Sequence, residues 1–241
     1  MHHLTSIDHL YYVNHHPNPF VKYGAKTFSQ TDEDGLTLEI IRRINPYKHE
    51  YLELGVGDGM ECNTLVLAAK GWPGQWIGNQ ELVVQHSNYT NAFITQENIV
   101  KLINVNPTLV SVDLDGNDFH VLKAIMKVFT PDIIITEYNA KFIPPIKWVM
   151  PYDQAHVWNG SDYFGASLQS FADYLSNYRL VACNAGTGAN AFFVHRQYDD
   201  LFPEVPRSVR QVYVPPRYKV AIDYNTHLRS VETVNNILRQ V

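Results

Sequence analysis

Apolar residues fall at helical spacing in residues 31–45, where Leu36, Ile40, Ile41 and Ile44 share one face. A Thr31-x-x-Asp34 pair supplies a capping arrangement in front, and Pro46 supplies a stop behind. The short run Tyr51-Leu52-Glu53-Leu54 then enters Gly55, Gly57 and Gly59, as a buried parallel strand does when it meets a tight turn before a helix. That helix is expected over residues 61–70. Gly71 to Gly74 reads as a turn, residues 75–77 as a second strand, 92–95 as a third, and 98–103 as a short helix. Residues 109–114 form the next apolar strand, 119–128 a helix, and 133–137 a strand entered through Pro131-Asp132. Strand and helix alternating in this way predict an α/β domain built on a mostly parallel sheet, with helices on both faces.

Between 139 and 161 the periodicity dissolves into a proline- and aromatic-bearing segment, longer than an ordinary connection and suited to a lid or binding loop. A helix at 168–175 follows. Two strands at 178–183 and 189–195, joined by Asn184 to Gly188, then read as an antiparallel closing hairpin. Beyond Asp200 prolines and arginines accumulate, and a terminal helix places Leu228, Val231, Val234, Ile237, Leu238 and Val241 along one stripe. The stripe needs a cover, either its own domain or a second copy across a twofold axis. The chain therefore divides into an N-terminal helical segment (1–46), a core (47–200) and a C-terminal extension (201–241).

A chain of 241 residues suits one α/β domain with appendages and one active site. Its formal net charge of −5, with basic residues dispersed, argues against a nucleic-acid partner. No apolar run approaches the ~18 to 20 residues that span a bilayer, so no membrane partner is expected and the chain reads as cytoplasmic. Cys62 and Cys183 lack metal-ligand spacing and fit buried thiols in a reducing compartment. Many of the fifteen tyrosines lie outside the strands, in the kind of aromatic loop that lines small-molecule pockets.

The turn Glu53-Leu54-Gly55-Val56-Gly57-Asp58-Gly59 sits where glycines let a backbone approach a ligand closely. Its spacing fits neither the dinucleotide fingerprint nor the phosphate-binding loop. An acid followed by Gly-x-Gly-x-Gly after the first strand resembles motif I of class I S-adenosylmethionine-dependent methyltransferases. Further segments occur in order: Phe28-Ser29-Gln30 with Glu33-Asp34-Gly35, Gly71-Trp72-x-Gly74-x-Trp76, Val112-Asp113-x-Asp115-Gly116-Asn117-Asp118, and Glu137-Tyr138-Asn139. Tyr163 to Leu168 and Asn190 to Val194 complete the set, which resembles a subgroup of FkbM-like methyltransferases over residues 28–196. The resemblance implies a Rossmann-like, doubly wound, seven-stranded sheet that binds S-adenosylmethionine. Backbone from Gly55 to Gly59 would meet the methionine part, Glu53 would order the turn or reach the amino group, and Asp58 would assist. Gln30 and Asp113 join this cofactor set. Such families place an acid after the second strand for the ribose; here Gln80 stands there, followed by Glu81.

In an open parallel sheet ligands sit beyond the carboxyl ends of the strands, so Asp113, Asp115, Asp118, Glu137 and Asn139 are expected to converge. Methyl transfer to a hydroxyl needs an aligned nucleophile and a proton acceptor. Asp115 is the expected base, His120 its rival, and Asn139 a polar catalytic partner. Asp115, Glu137 and Asn139 also offer hard oxygen ligands for Mg²⁺, a layout similar to that of metal-dependent O-methyltransferases. Tyr152, Asp153, Trp158 and Tyr163 in the long segment are candidate substrate contacts. A small-molecule acceptor, favoured as a sugar or glycoside hydroxyl, follows mainly from the resemblance. Two other readings stay open: an S-adenosylmethionine-binding enzyme of another reaction type, and an inactive binding module with the same fold. An NAD-dependent enzyme is disfavoured by the glycine spacing.

Overall fold

A computed structural model of the chain describes residues 7–217. Seven strands form one sheet in the order β3-β2-β1-β4-β5-β7-β6. They are β1 (Tyr51–Leu54), β2 (Gly74–Gly78), β3 (Tyr89–Asn91), β4 (Leu109–Val112), β5 (Ile133–Glu137), β6 (Tyr178–Cys183) and β7 (Asn190–His195). Every pairing is parallel except those of β7, which runs antiparallel to both β5 and β6. The fold is thus α/β, doubly wound and Rossmann-like, closed by an antiparallel hairpin, as the alternation of elements predicts. The central strands are apolar without alternation because both faces are covered: all four residues of β1 and β4 are buried, as are Ile133, Ile134, Ile135 and Thr136 of β5.

The helices are α1 (Ile7–His15), α2 (Glu33–Ile44), α3 (Leu65–Ala69), α4 (Ile99–Leu102), α5 (Asp118–Ile125), α6 (Leu168–Tyr174) and α7 (Val209–Val212). One hydrophobic core joins Phe20 and Leu36 at the N-terminal side to Tyr213 and Val214 at the other end of the described chain. Complete burial of a side chain the size of Leu36, Ile134 or Phe192 contributes about 2 to 3 kcal/mol each. No helix among the described residues is long and apolar enough to cross a membrane. The expected apolar stripe from Leu228 to Val241, and the dimer contact built on it, lie outside the described residues.

Several boundaries move for identifiable reasons. The third strand is Tyr89–Asn91 and not 92–95, because Thr95 and Asn98 bond each other reciprocally across the start of α4. Helix α3 is half the expected length, since residues 61–64 form a turn whose N–H groups at Asn63 and Thr64 are taken by Glu53. The Thr31–Asp34 capping arrangement does not form: Asp32 is the residue before α2, and Asp34 Oδ2 accepts the N–H groups of Thr27, Phe28 and Ser29 instead. Beyond β4 the chain turns sharply, so the strand ends at Val112 and α5 starts at Asp118.

The N-terminal segment is locked to the hairpin by buried polar groups. Asn184 Nδ2 donates to Glu33 Oε1 at 2.9 Å and to Thr31 Oγ1 at 2.9 Å, while its Oδ1 accepts the N–H groups of Ala189 and Asn190. Asp32 accepts the N–H groups of Ala185 and Gly186. Asn184→Ala leaves these buried groups without partners, and the expected loss is about 2 to 4 kcal/mol in a urea titration, with the sheet's circular dichroism retained.

Candidate active site at the carboxyl edge of the sheet

The sheet grows from β1 to β2 on one side and continues through β4 on the other, so the strand order reverses between β1 and β4. Ligands in open α/β sheets bind in the crevice beyond the strand ends at such a reversal. Two turns meet there. Gly55, Gly57 and Gly59 all adopt positive φ, at +80°, +53° and +88°. A Cβ on Gly55 would lie 1.5 Å from the Asp113 carbonyl oxygen, so only glycine lets the β1 turn pass the end of β4. A Cβ on Gly57 would meet nothing within 4 Å and would point into open space.

Glu53, almost fully buried, holds this turn from beneath. Its carboxylate accepts the Asn63 N–H at 2.7 Å, the Thr64 N–H at 2.9 Å and the Thr64 hydroxyl at 2.5 Å. Trp76 Nε1 in turn donates to Thr64 Oγ1. Both oxygens of Glu53 are therefore committed to ordering the turn, which decides between the two roles expected of it. Burial pushes its pKa up to about 7 despite these donors. Asp58 is exposed, accepting the Met60 N–H through Oδ1 and the Val83 N–H through its carbonyl, which ties the turn to the loop after β2. Gln80 and Glu81 are exposed in that same loop, with the Gln80 carbonyl accepting the Tyr89 hydroxyl. Gln30 is exposed on the N-terminal segment, its carbonyl taken by Lys26.

The second turn carries the acids. Asp115 sits at φ +52°, and one carboxyl oxygen each of Asp113, Asp115 and Glu137 lies within 4.8 Å of the other two. Asp118 is not a fourth member: fully buried, it accepts the Leu114 N–H at 2.7 Å and the Gly116 N–H at 2.9 Å, and so shapes the turn that presents Asp115. Burial raises Asp113 well above the usual carboxylate range, reinforced by Asp115 and Asp118. Glu137 rises likewise by burial and then by Asp113 and Asp118, and its Oε2 is buried with no hydrogen-bond partner. Asp115 rises by burial, opposed by His156. Three carboxyl groups at this spacing keep their protons or gather a cation. Hard oxygen donors with one orphaned buried oxygen fit a divalent ion such as Mg²⁺.

Two residues expected at this site have hydrogen bonds to the long segment. Asn139 is fully buried, donates through Nδ2 to the carbonyls of Asp162 and Phe164, and accepts the Lys141 N–H. It braces the long segment, and the group that lies with Asp115 and Glu137 in the structure is Asp113. His120 bonds through Nε2 to the Met150 carbonyl at 2.7 Å, which ties its ring to the same segment. Of the substrate candidates, Tyr152 bonds Glu97 and the Gln96 N–H, and the Asp153 carbonyl accepts Asn117 Nδ2, so both anchor the segment to α4 and α5. Trp158 and Tyr163 are 39% and 40% exposed, and Asp153 is exposed as well. Sequence reasoning missed the position of His156 beside Asp115, where its Nε2 lies 3.2 Å from the Asp115 carbonyl. Nothing in a lone histidine within a coil segment signals that contact.

No family model matches the chain, and no curated protein matches it in sequence. Among solved structures it is similar to the MycE methyltransferase of the mycinamycin biosynthetic pathway, in complex with Mg, SAH and mycinamycin VI. That match has 15% identity over 65% of this chain and 47% of the other, with a TM-score of 0.39. The chain thus spans about half the length of that methyltransferase. It is also similar to human N-acetylserotonin methyltransferase in complex with SAM, at 12% identity over 61% of this chain and 47% of the other, TM-score 0.38. A putative hemolysin from Lactococcus lactis matches at 6% identity over 66% and 84% of the two chains, TM-score 0.40.

The buried acids set a pH dependence. Glu33 and Glu53 are pushed up to about 7 and Asp118 to about 6, each chiefly by burial, so the folded chain holds more protons than the unfolded one from about pH 4.5 to 7. Their contribution to stability is complete below the unfolded values and is lost as pH rises through the folded ones. Urea midpoints are expected to fall between pH 5 and pH 8, and to fall less steeply in Glu53→Gln, which cannot ionise.

Proposed function

We propose that the chain is an S-adenosylmethionine-dependent methyltransferase that methylates a hydroxyl of a small molecule, favoured as a sugar or glycoside. The observation that carries this reading is the meeting of the glycine turn with the three acids at the reversal of strand order. The FkbM-like resemblance of the segments from Phe28 to Val194 supports it: those segments contribute Glu33, Gly55, Asp113, Asp115, Glu137 and Asn190 to one edge of the sheet. When bound, S-adenosylmethionine supplies an electrophilic methyl, and a divalent cation supplies Lewis acidity beside it.

The residues of the chain do the rest. Backbone from Gly55 to Gly59 receives the methionine part of the cofactor, and Gln80 or Glu81 at the end of β2 meets the ribose. Asp113 and Glu137, raised by burial, hold the cation with Asp115. Asp115, the most exposed of the three, takes the hydroxyl proton. The segment 139–167 closes over the edge and excludes water, with Trp158 and Tyr163 facing the acceptor.

Calorimetry with S-adenosylmethionine and S-adenosylhomocysteine tests the reading. Both are expected to bind the native chain, and Gly57→Val to weaken them by at least ~100-fold, since its Cβ points into space with no protein atom within 4 Å. Because φ there is +53° and strains a β-branched residue, an unchanged circular dichroism spectrum and urea midpoint are read alongside to separate lost binding from lost fold. No binding by the native chain would refute the reading. Transfer to an accepted hydroxyl is expected to drop ~10²- to 10⁴-fold in Asp115→Asn. Cofactor binding without transfer to any acceptor would leave the inactive binding module, and transfer of another part of the cofactor would show in product mass. The metal assignment fails separately if turnover is equal with and without chelator.

A further inference from the structure

The turn that presents Asp115 is also the place where the long segment docks. A Cβ on Gly116 would lie 2.2 Å from His156 Cδ2 and 2.6 Å from its Nε2, so the imidazole lies in a slot that only glycine leaves open. In that slot His156 Nε2 stands 3.2 Å from the Asp115 carbonyl, oriented to donate to it. Asn117 Nδ2 donates to the Asp153 carbonyl at 2.7 Å, three residues before His156. Gly165 N donates to the Gly116 carbonyl at 3.0 Å from the far end of the same segment. Each residue of Asp115-Gly116-Asn117-Asp118 therefore has a separate part: Asp115 brings the acid, Gly116 opens the slot, Asn117 anchors the segment, and Asp118 braces the turn.

We infer that His156 is a positioning residue, which couples closure of the segment over the site to the placement of the Asp115 carboxylate. The inference deepens the methyltransferase reading and rests on it for the role of Asp115. The coupling runs through backbone. Asp115 adopts a left-handed conformation, sparsely populated by L residues, and that conformation needs support from its surroundings. Asp118 supports it from below through the N–H groups on either side, and His156 supports it from above through the carbonyl. When the segment lifts, the upper support leaves with it, and Asp115 is released from its place beside Asp113 and Glu137. The acids are then assembled only when the site is covered, which confines deprotonation of the acceptor to the state that excludes water.

The test compares the native chain with His156→Ala, His156→Gln and Gly116→Ala. Glutamine keeps an N–H donor near the place of Nε2, alanine at 156 removes it, and alanine at 116 fills the slot. Amide hydrogen exchange of the peptide 150–158 is expected to quicken about tenfold in His156→Ala and in Gly116→Ala, and to return near the native rate in His156→Gln. Mn²⁺ affinity, read by electron paramagnetic resonance, is expected to weaken about tenfold in His156→Ala and to recover in His156→Gln. S-adenosylhomocysteine affinity is expected to stay at the native value in all three. Unchanged exchange in His156→Ala overturns the clamp, and faster exchange with unchanged Mn²⁺ affinity overturns the coupling to Asp115. If the native chain takes no Mn²⁺, the metal reading fails, and exchange alone then decides whether His156 and Gly116 form the clamp. Absence of S-adenosylhomocysteine binding by the native chain would refute the methyltransferase reading without touching the exchange result.

Discussion

Carboxyl groups of Asp113, Asp115 and Glu137 crowd within 4.8 Å of one another, and desolvation together with mutual repulsion disfavours ionising Asp113 and Glu137 beside each other. Much of the carboxyl edge is arranged around that constraint. β4 and β5 lie side by side in parallel register, which fixes Asp113 beside Glu137. Asp118 commits both its oxygens to the turn that brings Asp115 back toward them. Glu33 and Glu53 stand close enough to raise Asp113 further. Lys141 is partly neutralised in its effect by its ion pair with Asp162 at 2.8 Å. A site built in this way is primed for a cation, whether a divalent ion or the charged centre of a ligand.

Under the proposed function the same edge also admits a ligand backbone-close, and Gly55 is where the two requirements meet. Its turn passes so near the Asp113 carbonyl that the glycine serves the architecture as much as the ligand, whereas Gly57 borders open space. Two glycines two residues apart in the sequence thus have different physical roles. Glu53 joins the two tasks: it lies inside β1, orders the turn through Asn63 and Thr64, and adds its field to the acids.

Much of the fold is legible in the sequence because the sheet is covered on both faces. Ile133 to Glu137 and Tyr178 to Cys183 are readable to the residue, since mostly apolar runs bounded by Pro131-Asp132 and by Asn184 leave little latitude. The third strand is less legible: Tyr89–Asn91 is short and half-exposed, and the neighbouring Ala92 to Thr95 is more apolar although Thr95 serves α4. At the site, the strand-end rule points to Asp113, Asp115, Asp118, Glu137 and Asn139, of which the structure gathers Asp113, Asp115 and Glu137, while Asp118 turns to the N–H groups of Leu114 and Gly116. It fails for Asn139, which looks like a ligand by position and is turned inward by the carbonyls of Asp162 and Phe164, more than twenty residues away. The partners of His120 and Tyr152 likewise come from distant segments that local pattern does not reveal.

The central claim is that the glycine turn and the three acids are two walls of one ligand site. A crystal structure of the chain with S-adenosylhomocysteine tests it most directly. The account predicts the amino-acid part of the ligand against the backbone of Gly55 to Gly59, with its sulfur turned toward Asp113, Asp115 and Glu137. Density for the ligand anywhere else, or a ligand at the glycine turn that directs its sulfur away from the acids, would contradict it.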